Sequence, residues 1–175
     1  MHERINKIIY GSRNVGYADR FAPNADVVST MAAAMGYASV FFRQNGEPAY
    51  ADQLLTVAEK LELFASRYPV PAMIRDEKGN LMPPVGYPDP NTFALQDNLC
   101  IAALAVHRAN VAKDPAYSNT AYLTKAINLG KSFAEWFDSP RGDYYHTLNT
   151  YNPLCYNELI KLLPISETQL FRTKL

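Results

Sequence analysis

Cysteine, tryptophan and histidine are scarce in this chain, with 2, 1 and 3 copies among 175 residues. The two cysteines, Cys100 and Cys155, make neither a disulfide framework nor a zinc set. Cys100 lies in the apolar run LCIAALAV, where a buried free thiol is expected. The histidines stand at positions 2, 107 and 146, without HxxxH or HxH spacing, so no metal site is expected. Charge of either sign is in no surplus: 17 Lys and Arg face 17 Asp and Glu. Nothing in that balance favours nucleic acid or an anionic membrane as a partner. GxGxxG, P-loop and G-x-S-x-G motifs are missing, and no nucleotide or other cofactor is expected.

Long hydrophobic runs are missing too. No stretch is expected to give the roughly 18 uninterrupted apolar residues of a membrane span. VVSTMAAAMGYASVFF comes nearest, but Ser29, Thr30, Gly36 and Ser39 interrupt it. The N-terminal MHERINKIIYGSRNVG has no apolar stretch of signal-peptide length. The chain reads as soluble with its compartment open: secreted or periplasmic if it belongs to a longer parent.

What is present is enough apolar material for a core, 48% of residues. Residues 1–23, broken by Gly11, Gly16 and Pro23, read as an irregular segment. Helices are expected from Asn24 or Asp26 to about Gln44, from Pro48 to about Ser66, from about Asn91 to Ala112, from about Ser118 to Phe137 and near Asn152–Leu163. Asn45-Gly46 stops the first, and Pro48 suits the first turn of the second. The proline-rich connection 67–92 contains DEKGN, a turn at the tip of a small hairpin. A second short hairpin or extended segment is expected near 139–148. The hairpin domain then covers 24–163, and the tail 164–175 stays indeterminate.

The first and third helices are apolar nearly all round, as helices enclosed by protein are. The second and fourth carry stripes. Leu54, Leu55, Ala58, Leu61, Phe64 and Ala65 form one face, with Asp52, Glu59, Lys60 and Glu62 off it. Tyr122, Ala126, Leu129, Phe133, Trp136 and Phe137 repeat the pattern. The motif Pro-Ala-Tyr occurs at Pro48 and again at Pro115, 67 positions apart, which is one helical hairpin. A repeated hairpin with inner and outer helices implies an all-α array, part of an (α/α) toroid. The alternative is a four-helix bundle, in which all helices would be striped alike.

The stretch NADVVSTMAAAMGYASVFFRQNGEPAYADQLLTVAEKLELFASRYP resembles family 9 glycoside hydrolases, whose inner helix opens on Asp-Val, continues in alanines and turns through DPAYA into LL..A..L..FA. LQDNLCIAALAVHRA and DPAYSNTAYLTKAINLGKSFAEWFDSPRGDYYHT are similar to hairpins of N-acylglucosamine 2-epimerase-like and related six-hairpin toroids. The resemblance covers about Asn24 to Thr147. It implies a carbohydrate-active protein acting on poly- or oligosaccharide by carboxylate acid–base chemistry. The Asp-Ala-Gly-Asp base motif, late His/Arg motif and C-terminal Glu of family 9 have no counterpart in these residues. A full toroid needs more than twice this length, so the expectation is a partial domain that self-associates or pairs with the rest of the ring.

Glycosidic hydrolysis needs two carboxyl groups roughly 5–10 Å apart. Asp97, at the start of an enclosed helix, is the first candidate; its helix N-terminus favours the ionised form. Asn98 can hydrogen-bond a sugar hydroxyl. The plain alternative for both is capping or an inter-helix hydrogen bond. Asp89, in GYPDPNTF, is the second carboxyl, or simply an Asp-Pro turn. Tyr87 offers a stacking ring or anchors a loop. Tyr144, Tyr145 and His146, in GDYYHT, suit a sugar platform with a titrating group, or a hairpin packing one Tyr inward. His107, beside Arg108, fits a helix C-terminal dipole role. A non-catalytic scaffold, or a lyase or epimerase using Tyr and His, stays open beside the hydrolase.

Overall fold

The computed structural model describes residues 23–71, 74–75, 81–82, 95–137 and 154–173. Their elements in chain order are α1 (Ala25–Gln44), α2 (Pro48–Arg67), β1 (Ile74–Arg75), β2 (Leu81–Met82), α3 (Leu95–Lys113), α4 (Ala121–Phe137), α5 (Leu154–Leu162) and α6 (Ile165–Arg172). The all-α reading holds, as helical hairpins α1–α2 and α3–α4 set side by side. The strands are a minimal antiparallel pair, Ile74 opposite Met82 and Arg75 opposite Leu81; the DEKGN turn expected between them lies outside the described residues. The hairpin expected near 139–148 lies outside the described residues.

Local chemistry explains the first hairpin. Gly46 takes φ +84°, a conformation that costs a residue without a Cβ little. Pro48 then starts α2, where its missing N–H has no helical partner to lose. Asn24 precedes α1 in the left-handed region and makes no side-chain cap. The Pro-Ala-Tyr echo belongs to the sequence rather than to local conformation. Pro115 lies in a turn where Asp114 Oδ1 accepts the Ala116 N–H at 2.9 Å, and α4 begins only at Ala121, whose N–H Asn119 Oδ1 accepts at 2.9 Å. The helix α6, in the tail left indeterminate, buries Thr168 and Phe171.

The inner pair is α1 and α3. Both are rich in alanine, and they approach until their backbones nearly touch. A Cβ on Gly36 would lie 2.9 Å from the backbone carbonyl carbon of Ala105 and 2.9 Å from its methyl. Buried Ala32, Ala33, Ala102, Ala103 and Ala105 keep the rest of the seam thin. Across the first hairpin the buried Ser39 hydroxyl donates to the Ala51 carbonyl at 2.8 Å. α3 is enclosed as expected, with Leu99, Cys100, Leu104 and Val106 buried. α1 departs from expectation. It packs on α2 and α3, but its third side carries Val27, Met31 and Phe41 at 45%, 47% and 59% exposure. It is also long and apolar enough to cross a membrane by length and composition alone, contrary to the expectation that no stretch is. In the fold it serves as a core helix.

Among the described side chains the outer helices carry the stripes read from the sequence, Leu54, Leu55, Ala58 and Ala65 on α2 and Ala126 and Phe133 on α4, with one correction. Glu62 is 2% exposed, on the packed side of α2. Lys125 of α4 reaches across to its carboxylate and to Ser66, and the Ser66 hydroxyl donates to Glu62 Oε1 at 2.9 Å. A buried carboxylate with a cation and a hydroxyl is tolerated where a bare one is not, and this triad ties the two outer helices together. Asn110 adds a bond from α3 to Glu59 of α2 at 3.1 Å.

Replacing Lys125 by Met leaves Glu62 buried without its cation. We expect a loss of about 2 kcal/mol in urea unfolding, less than a fully buried pair because Lys125 is one-third exposed. The double change Glu62→Leu with Lys125→Met should recover most of it; an unchanged single variant would contradict the role given to the triad.

Candidate functional site

Three helices offer one face each to a half-open cavity of about 640 Å³, within the size range of small-molecule pockets. α1 contributes Thr30, Ala33, Ala34 and Tyr37; α3 contributes Asp97, Asn98 and Ile101; α5 contributes Leu154, Asn157, Glu158 and Lys161. On each helix the spacing is three or four, which is one face of a helix. Ala33 and Ala34 of α1 leave the room, and the polar groups come from Thr30 and Tyr37 of α1, the first turn of α3 and α5.

Asp97 and Asn98, two of the candidates, meet here. Asp97 is 8% exposed, and its Oδ1 accepts the backbone N–H of Cys155 at 3.3 Å, so the carboxylate of α3 holds the first turn of α5. Asn98 Nδ2 donates to Thr30 Oγ1 at 3.1 Å, and the Thr30 hydroxyl in turn donates to the Asp26 carbonyl at 2.8 Å. Asp89, Tyr87, Tyr144, Tyr145 and His146 lie outside the described residues. His107 is half-buried, its ring 6.0 Å from that of Tyr117. Burial, then the adjacent Arg108, lower its pKa and favour the neutral ring, which does not suit the dipole role expected of it.

The strongest charge in the cavity was not anticipated. Glu158 takes Arg108 Nη2 at 3.0 Å on one oxygen and Lys161 Nζ at 2.8 Å on the other. Burial works against its ionised form. The Lys161 hydrogen bond, the Arg108 charge and the Tyr37 phenol together outweigh burial and hold the carboxyl below its ordinary value. Tyr37 responds in the opposite sense: burial, then the Glu158 charge, push its phenol well above the usual range. The Tyr37 hydroxyl is buried and makes no well-aligned hydrogen bond, so phenol and carboxylate are in contact without a formed bond. The Glu158/Lys161 spacing of three was visible in NELIK; the reach of Arg108 from α3 was not. Among the described residues no three of His, Cys, Asp and Glu cluster as a metal site would need.

A family model described as Glycosyl hydrolase family 9 matches residues 2–164. Endoglucanase 16 of Oryza sativa subsp. japonica is 34% identical over 124 residues, 70% of this chain and 20% of that protein. Endoglucanase 5 of the same plant is 34% identical over 122 residues, again 70% and 20%. Endoglucanase 7, also from rice, is 37% identical over 100 residues, 56% of this chain and 17% of that protein. The chain thus spans about a fifth of the length of the curated relatives it matches. No solved structure matches it.

Glu158 gives a pH signature. Because its folded pKa is depressed, its contribution is complete above the ordinary value of 4.5 and is lost as pH falls through the lower folded value. Glu158→Gln should cost about 1 kcal/mol at neutral pH, the worth of a partly screened charged hydrogen bond. The gap from the parent should close as unfolding is followed from pH 7 to pH 3. Parallel profiles would show that Arg108 and Lys161 do not hold the carboxylate ionised.

Proposed function

The chain belongs to glycosyl hydrolase family 9, and from that membership we propose that it is carbohydrate-active, forming part of the wall of a groove in which a poly- or oligosaccharide is hydrolysed by carboxylate acid–base chemistry. The family match over residues 2–164 carries this reading. The relatives' name, endoglucanase, points to a glucan as the polymer. Within the chain, Asp97 is the carboxyl offered to that chemistry, and Asn98 the partner of a sugar hydroxyl. Both line a cavity of ligand size. Asp89, Tyr87, Tyr144, Tyr145 and His146 are further contacts in the same reading. The half-exposed apolar side of α1 supports pairing with the rest of a toroid or with a second copy.

One observation favours a second reading, a non-catalytic binding or scaffold role. Both carboxylates in the cavity already have partners: Asp97 holds α5, and Glu158 holds Arg108 and Lys161.

The test is to incubate the chain with soluble glucans and oligosaccharides, following new reducing ends and, separately, binding. The hydrolase reading expects turnover that Asp97→Asn lowers roughly 100-fold or more, with binding weakened by Asn98→Ala. Binding without turnover in the parent supports the scaffold role. Neither binding nor turnover on any glucan overturns the carbohydrate assignment for this chain.

A further inference from the structure

The two cysteines lie 55 positions apart in sequence, Cys100 on α3 and Cys155 on α5, and share one buried cluster. Cys100 stands three residues beyond Asp97, on the same helix face. The Asp97 carboxylate accepts the Cys155 N–H at 3.3 Å, which sets the first turn of α5 against that face. Both thiols are free, fully buried and members of one apolar cluster. The Cys100 thiol donates to the Ala126 carbonyl at 3.2 Å, and the Cys155 thiol neighbours both Cys100 and Asp97.

We propose that Cys100 and Cys155 are a modification site: a pair that closes to an intramolecular disulfide by exchange with a small-molecule disulfide such as oxidised glutathione, stapling α5 to α3. One cysteine thiolate attacks a sulfur of the oxidant, expels one glutathione thiolate and leaves a mixed disulfide. The second cysteine thiolate then attacks the protein sulfur of that bond and expels the other glutathione. The two protein thiols give up two electrons and two protons, which the oxidant's disulfide takes up as two thiols.

The site is slow by construction. The thiolate is the reacting form, and burial foremost, then the neighbouring Cys100 thiol and Asp97 carboxylate, hold Cys155 protonated. Exchange therefore waits for α5 to lift from α3. That step needs only local opening, because α5 and α6 are nine and eight residues long. Once closed, the bond would hold α5 down and constrain the unfolded chain.

The chain is incubated with oxidised glutathione, with and without sub-denaturing urea, then mapped without reduction. The expected result is a monomer whose Cys100 and Cys155 peptides are joined, formed faster in urea. Its thermal midpoint should rise by roughly 5 °C or more and fall back on reduction. Cys155→Ala and Cys100→Ala should each yield only a glutathione adduct. Two unreacted thiols, adducts alone or a disulfide-linked dimer of the parent chain would overturn the proposal. So would a joined pair that leaves the midpoint unchanged.

Discussion

The near-contact of Gly36 with Ala105 sets the distance between the inner helices, and the other packing follows from that distance. Backbone sets the separation, because position 36 has no side chain and position 105 has only a methyl. At that distance, alanines and serines suffice to fill the seam, and a larger residue would have to push two backbones apart. Packed interiors accommodate extra volume poorly. α2 can then contact both α1 and α3, as it does, with Leu55 and Ala58 meeting Val106 and Ala109 in one cluster.

The outer layer is held by different means. Apolar stripes supply the burial, but between hairpins the specific ties are polar: Lys125 to Glu62 and Ser66, Asn110 to Glu59 and, towards α5, Arg108 to Glu158 and Cys155 to Asp97. Each pairs a group from one hairpin with a group from a neighbouring unit. They add direction to contacts that hydrophobic burial alone would leave free to slide. The cavity lies where three such units meet, and so it is lined by groups already engaged in the fold.

Much of this was legible in the residues. Spacing of apolar positions located the helices, because a helix face repeats every three or four residues whatever it packs against. Gly46 and Pro48 marked the first turn by backbone chemistry alone. Glu62 was placed off the packed face because a carboxylate is normally solvated, and the cation that lets it be buried sits 63 positions away on another helix. Asp97 was picked out for chemistry, but its partner is a backbone N–H at position 155, which no side-chain motif records. Glu158 was missed for the same reason, since Arg108 reaches it only once α3 and α5 are packed. The exposed side of α1 was read as enclosed because composition gives the polarity of a helix and not the number of its neighbours.

The most direct measurement of the inner seam is urea unfolding of Gly36→Leu beside Ala34→Leu. Both changes put the same side chain on α1, and leucine at 36 gains about 0.8 kcal/mol in helix propensity over glycine. Position 34 faces the cavity, whereas position 36 faces the Ala105 backbone. If that backbone contact sets the packing, Gly36→Leu loses at least about 2 kcal/mol despite its propensity gain, and Ala34→Leu changes stability by less than about 1 kcal/mol. Equal tolerance at the two positions would contradict it.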